Sequence, residues 1–219
     1  MVSPVPLPLA VVAAVAAVTV VGVSFVFSSD ARTRRALKKV PVTPIAGLQT
    51  GQLARIRGRI VAGGDLLAAP LSERTCVYYL ATADQRRSSG NSSSWREVAR
   101  EERYVDFQVA DHTGAAWVRM SVPRVAVVRD LHTRSGTFDD ANALEEGFLQ
   151  RHGLQSTSAV LGLNLGMRYV EGALEPGEEV TVLGLVRSEV IDGRSVLVLD
   201  APTDGPLMIS DDPRAVQAQ

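Results

Sequence analysis

Residues Leu53 to Val61 read LARIRGRIV, with apolar and basic side chains in alternation. A period of two is that of a β-strand with one buried and one solvated face. Glycine brackets the run: Gly51 and Gln52 precede it, and Gly58 interrupts it. The signature returns later, where Gly177 and Glu178 lead into Glu179 to Leu183 and Gly184 follows. Each copy continues into more strand and then Ala-Pro, at Ala69-Pro70 and at Ala201-Pro202. A strand bent by glycine is how small Greek-key barrels often begin. The reading is a mainly β body: an OB-like or Greek-key barrel, or paired sheets, with one short helical insertion.

Between and beyond the two copies, strand signals recur. Cys76 to Ala83 (CVYYLATA) is rich in β-branched and aromatic residues and reads as a central strand. Arg86 to Ser94 is polar and Gly/Ser-rich and reads as a mobile hairpin tip. Trp95 to Val109 reads as an interrupted strand, Asp111 to Gly114 as a tight turn, and Ala116 to Met120 and Arg124 to Val128 as further strands. The character changes over 129–155, which is polar, with a short helix expected at Ala143 to His152. Ser156 to Gly166 reads as irregular. Strand returns at Met167 to Ala173, Glu179 to Val190 and Ser195 to Leu199, with Asp192-Gly193 suited to a hairpin turn. The tail from Asp211 reads as frayed.

At the other end, Leu7 to Phe27 is an uncharged apolar run. About 20 such residues span a bilayer core as a helix. No charged side chain precedes it, while Arg32, Arg34, Arg35, Lys38 and Lys39 follow. Basic residues stay on the cytoplasmic side of a membrane segment. The expectation is a retained single-pass anchor in the cell membrane, N-terminus outside and body in the cytoplasm. A cleaved signal would carry a basic n-region and a shorter apolar core. The organisation that follows is an anchor at 1–29, a basic collar and linker at 30–47, a β domain at 48–204 and a tail at 205–219.

Composition narrows the chemistry. The formal net charge is -1. Because the collar holds five of the 23 Lys and Arg residues, the remaining body is mildly acidic. That argues against nucleic acid as a partner. The collar itself could meet anionic lipid headgroups. The single cysteine, Cys76, can form no internal disulfide, which fits a reducing compartment. His112, His132 and His152 lack metal-ligand spacing, and Asp111-His112 and Asp130-x-His132 are acid–base pairs only on paper. There is no nucleophile elbow and no phosphate loop, the Gly162 to Gly166 stretch lacking the Lys-Ser/Thr pair. Tyr78, Tyr79, Trp95, Tyr104, Phe107 and Trp117 fall on strands, where core packing and base stacking are the two readings. Neither a cofactor, a metal site nor a catalytic residue is expected.

Four blocks occur in order: Ala69-Pro70-Leu71-Ser72-Glu73-Arg74-Thr75-Cys76-Val77-Tyr78-Tyr79; Trp95; Asp106-Phe107 through Asp111 to Gly114, with Val118; and Arg168 through Glu171 to Pro176-Gly177 and Gly184. Together they resemble the GIDE domain, or beside-a-membrane domain. It lies between the membrane helices of mitochondrial and chloroplast outer-membrane RING ubiquitin ligases and occurs in many bacterial membrane proteins. The resemblance covers roughly Leu48 to Leu199. It implies a β-rich domain held close to a membrane that recognises proteins, with Pro70, Leu71, Ser72, Arg74, Cys76, Tyr78, Tyr79, Trp95, Phe107, Asp111, Gly114, Arg168, Glu171, Pro176 and Gly177 as its motif positions. A RING needs a Cys/His cluster for two zinc ions. One cysteine and three scattered histidines cannot supply it. The composition and absence of eukaryotic appendages point to a bacterial source. The function expected is a protein-binding or scaffold module without RING-based ligase activity, with the partner and oligomeric state left open. The alternatives are a membrane-tethered enzyme whose site has no recognisable motif, or an OB-like binder of nucleic acid or lipid headgroups.

Overall fold

The computed structural model describes residues 30–89, 92–136, 139–157, 166–191 and 193–217. Leu7 to Phe27, Asn91, Asp192 and most of Gly162 to Gly166 lie outside them. The chain begins with helix α1 over residues 30–39 and a 3-10 turn at Ile45–Gly47. Strands follow: β1 (Leu53–Val61), β2 (Leu67–Ala68), β3 (Thr75–Cys76), β4 (Tyr78–Ser89), β5 (Ser92–Tyr104), β6 (Phe107–Ala110), β7 (Ala115–Val118), β8 (Pro123–Ala126) and β9 (Leu131–Ser135). Then come α2 (Ala143–Arg151), β10 (Met167–Leu174), β11 (Glu179–Ile191), β12 (Arg194–Asp200), β13 (Leu207–Ser210) and α3 (Pro213–Val216). The fold is mainly β, and among the described residues no helix is long and apolar enough to cross a membrane.

Two sheets carry the molecule. The larger has the order β1-β6-β7-β12-β11-β13-β8, with a further pairing of β1 to β11; the smaller has the order β5-β4-β10-β9. The expected barrel is corrected: the sheets are not closed into one. β1 does pair on both sides, with β11 along Leu53–Arg59 and with β6 along Arg59–Val61. The seams are short, however, with two residue pairs joining β12 to β7. β13 and β8 also run outward from β11 as an open extension.

Alternation along β4 explains how the layers stack. Tyr78 and Leu80 point into the main core, with Ile56, Phe107, Val118, Leu174, Val182 and Ile209. Tyr79, Ala81 and Ala83 point the other way, into a second core with Cys76, Tyr169, Phe148 and Leu149. α2 closes that second core. Its start is a local decision: Asn142 accepts from the Leu144 and Glu145 amides, and Glu145 returns a bond to the Asn142 amide. On the outer face of the larger sheet, Leu37 of α1 packs with Leu183 and Ala215.

Several local expectations change. Arg86 to Ser94 is mostly ladder, with Arg86 opposite Trp95 and Ser88 opposite Ser93. The end of the linker stretch is not free: Ile45 is buried in the main core beside Leu48. Residues 129–155 contain β9, and the tail contains β13 and α3, whose Ala215 and Val216 are buried. The basic face of β1 is solvated at Arg59 and half-exposed at Arg57, but not at Arg55. Arg55 is 0% exposed, because the chain just past α1, at Val40, and α3, at Ala215, close over its side chain.

Candidate functional site

The motif positions fall into separate places. Ser72, Arg74 and Glu171 meet. Glu171 projects from β10 into the protein and is 0% exposed. Its carboxylate accepts from the Leu71 amide (2.7 Å) and the Ser72 hydroxyl (2.5 Å). Arg74 donates from Nε to Ser72 Oγ (3.0 Å), and forks onto Asp130 with bonds of 2.7 and 2.9 Å. It also reaches Glu175 (3.1 Å). These partners raise the Arg74 pKa, with the Asp130 hydrogen bond the foremost cause. The 70–74 turn is thus locked to β10 by a buried, charge-assisted network. Pro70 and Leu71 complete that turn, Leu71 buried.

Cys76 stands beside this network as an inert thiol. Its Sγ lies 3.8 Å from the Leu67 carbonyl. Burial, aided by the Glu171 charge, pushes its pKa up to about 11. A nucleophilic cysteine needs the opposite shift.

Other motif residues shape the framework. Asp111 accepts from the Thr113 amide and hydroxyl (2.6 Å each) and the Gly114 amide (3.0 Å), while its second oxygen accepts from the Ile45 amide (2.9 Å). Burial pushes its carboxyl up, but these bonds outweigh that and hold it below the usual range. Tyr78 and Phe107 are 0% exposed in the main core, and Tyr79 sits in the second. Gly177, after Pro176, turns with φ 89° and gives its amide to the Ile60 carbonyl (2.8 Å).

The acid–base pairs do not form. Asp130 is taken by Arg74, and His132 Nε2 lies 2.9 Å from the Arg129 carbonyl. His152 Nδ1 lies 2.9 Å from the Phe148 carbonyl. Among the described residues no three His, Cys, Asp or Glu side chains gather closely enough to hold a metal ion.

Trp95 and Arg168, the remaining motif pair, come together elsewhere. The Arg168 guanidinium lies 5.0 Å from the Trp95 ring and bonds Asp84 at 2.8 and 3.0 Å. Arg168 and Asp84 are on the face of the smaller sheet opposite Glu171, where β4 and β10 extend past the main core. That extension floors a cleft of about 490 Å³, walled by the first turns of α1 and by Val127 to Arg129. Asp30, Arg34, Glu97, His132 and Asp212 add to its polar lining. Its charges are cross-linked: Arg34 to Asp212 (3.1 Å) and Arg129 to Asp30 (3.7 Å). Burial raises the carboxyl pKa of Asp30 and of Glu97 against the pull of nearby arginines. The cleft offers both signs of charge on a sheet floor.

Sequence reasoning reached Arg168 and Trp95 but missed Asp84, Glu97, Arg129 and Asp212. Nothing local marks them, since they come from four separate strands and connections. The collar divides: Arg34 turns inward to Asp212, while Arg32, Arg35, Lys38 and Lys39 are exposed.

A family model for GIDE, described as E3 ubiquitin ligase, matches residues 77–216. No curated protein and no solved structure gives a significant match. The match takes in both sheets from β4 to α3, together with Trp95, Phe107, Asp111, Arg168 and Glu171. It covers well over half of the chain, which therefore belongs to the GIDE family.

Proposed function

We propose that this chain is a single-pass membrane protein whose GIDE domain binds another protein beside the membrane, with the cleft around Arg168 as its docking site. The observation that carries the reading is the cleft's position and make-up. It opens at the start of α1, close in sequence to the apolar Leu7 to Phe27 run, and is lined by paired charges, among them Arg168, which stacks on Trp95. Exposed stacked arginines and tryptophans are favoured anchors at protein interfaces. The basic residues after the run favour an N-out, C-in anchor in the cell membrane. The E3 ligase description of the family does not carry RING chemistry to these residues, because they hold one cysteine and three histidines. The larger sheet is read as OB-like in the partly open sense, supported by the β1-β6-β7-β12-β11 pairing order with β11 returning to β1.

Photocrosslinking in native membranes tests the docking site. A photoreactive residue at the Glu97 position should capture one recurrent protein, and Arg168→Ala should abolish that product. The same probe at His112, on a different groove, should not give it. Equal products at both positions, or insensitivity to Arg168→Ala, would remove the cleft from the reading. For topology, protease added to spheroplasts should spare the C-terminal body; digestion would reverse the orientation.

A further inference from the structure

α1 has two faces of different chemistry. A helix advances about 100° per residue, so Asp30, Thr33, Arg34 and Leu37 share one side. That side is the docked one. Leu37 is 0% exposed against Leu183 and Ala215, Thr33 is 0% exposed, and Asp30 and Arg34 pair with Arg129 and Asp212. Arg55, from beneath, donates to the Val40 carbonyl just past the helix end (3.2 Å). The opposite side carries Arg32, Arg35, Lys38 and Lys39, all exposed. The collar is therefore a helix fixed to the domain, with its cations gathered into one outward stripe.

We propose that this stripe binds anionic lipid headgroups and so sets the angle at which the domain stands on the membrane. It rests on the anchored reading only for the stripe's height. Only four residues separate Phe27, the end of the apolar run, from Arg32. The interfacial zone extends roughly 5 to 8 Å beyond the hydrocarbon core. A surface field reaches about 8 Å further at physiological salt. The stripe thus begins inside the headgroup zone. The body beyond the collar is mildly acidic in sum, so within reach of the surface field the stripe is where attraction acts. Because the inner face is pinned by a buried leucine and two ion pairs, attraction on the outer face acts on the whole domain. The cleft shares Asp30 and Arg34 with this helix, so its mouth is oriented by the same contact.

The test uses the full chain carrying Ala36→Cys, a position beside Arg32 and Lys39 on the helix. A fluorophore goes onto the new thiol, since buried Cys76, with its pKa near 11, stays unlabelled. The chain is reconstituted into phosphatidylcholine vesicles with and without about one-third phosphatidylglycerol. Flotation with the neutral vesicles reports the anchor. Quenching of the label by acrylamide reports the stripe. Phosphatidylglycerol should reduce quenching at least twofold. Raising salt to near 1 M, where the screening length is about 3 Å, should restore it. The combined variant Arg32→Gln, Arg35→Gln, Lys38→Gln and Lys39→Gln should show no response to phosphatidylglycerol while floating as before. Flotation with anionic vesicles alone would uphold the stripe and overturn the anchor. Flotation with both and quenching indifferent to phosphatidylglycerol and salt would overturn the stripe and leave the anchor standing, as would a stripe that docks an acidic protein instead. Flotation with neither would overturn both.

Discussion

Ile56 of β1 lies directly opposite Val182 of β11, and the chain repeats itself about that pair. The Gly51 amide donates to the Val186 carbonyl, and the Gly177 amide donates to the Ile60 carbonyl, both at 2.8 Å. Gly51 and Gly177 have φ of 88° and 89°. Gly58 crosses Ala110 of β6 just as Gly184 crosses Asp200 of β12. The two Gly-flanked strands are thus each other's partners, related by a local pseudo-twofold axis through Ile56 and Val182.

That relation predicts which glycines are irreplaceable. A Cβ on Gly58 would stand 2.3 Å from the Ala110 carbonyl oxygen, and one on Gly184 2.8 Å from that of Asp200. Gly58→Ala and Gly184→Ala should each cost about 1 to 3 kcal/mol or more, since backbone must move. Gly64 has open space around its Cβ position and serves as control. Urea denaturation should separate the three; equal midpoints would refute the close approach.

Glu171 and Asp130 both face Arg74 but differ in burial, at 0% and 55% side-chain exposure. Glu171→Ala leaves the Leu71 amide and Ser72 without their acceptor, and breaking a buried pair costs about 3 to 5 kcal/mol. Asp130→Asn should cost less than about 1 kcal/mol, as for exposed pairs. Thermal unfolding of both variants compares them. A larger loss from the Asp130 change would show that the 70–74 turn is held from outside.

Arg55 fastens three elements from inside the protein. It donates to Thr181 Oγ1 (2.9 Å), the Val40 carbonyl (3.2 Å) and the Ala215 carbonyl (2.6 Å). Burial lowers its pKa, so these bonds offset a real desolvation cost. Arg55→Ala should speed amide exchange in 31–40 and 213–217 well before the main core opens. Unchanged exchange in both segments would mean that Leu37 packing alone holds α1.

Asp211 gives a pH signature. Burial pushes its carboxyl up to about 7, although it accepts from the Val128 amide. The folded protein holds that proton when the unfolded chain, near the usual 3.8, has lost it. Its contribution is therefore fully present below pH ~4 and is lost as pH rises through about 7. Asp211→Asn keeps an acceptor for Val128 and removes the titration. The variant should gain on the wild type in melting temperature from pH 4 to 8. A gap that is constant with pH would rule out the proton.

Cys76 offers a probe of opening. With a buried thiol near pKa 11, it should react with iodoacetamide at pH 8 orders of magnitude more slowly than in the urea-unfolded chain. Comparable rates would place the thiol at the surface.

The local readings that held rest on interactions within a few residues. Alternation marked β1, strand signals marked β10 and β11, and Asp111 to Gly114 marked a turn; the helix expected from Ala143 is started by Asn142 and Glu145 bonding each other. Those signals survive because strand period, turn and cap are settled by neighbouring backbone. What covers a face is settled elsewhere in the chain. Arg55 reads as a solvated strand residue until the chain just past α1, and α3, close over it. Short β9 and β13 carry little pattern of their own and form because β10 and β11 present unpaired edges to them. The cleft joins Asp30, Asp84, Glu97, Arg129 and Arg168, which no spacing links. Composition and periodicity could determine a mainly β chain. Long-range pairing alone decided that its motif glutamate is buried as a clamp while its motif arginine, three residues earlier on the same strand, faces the opening, because successive strand residues point to opposite sides.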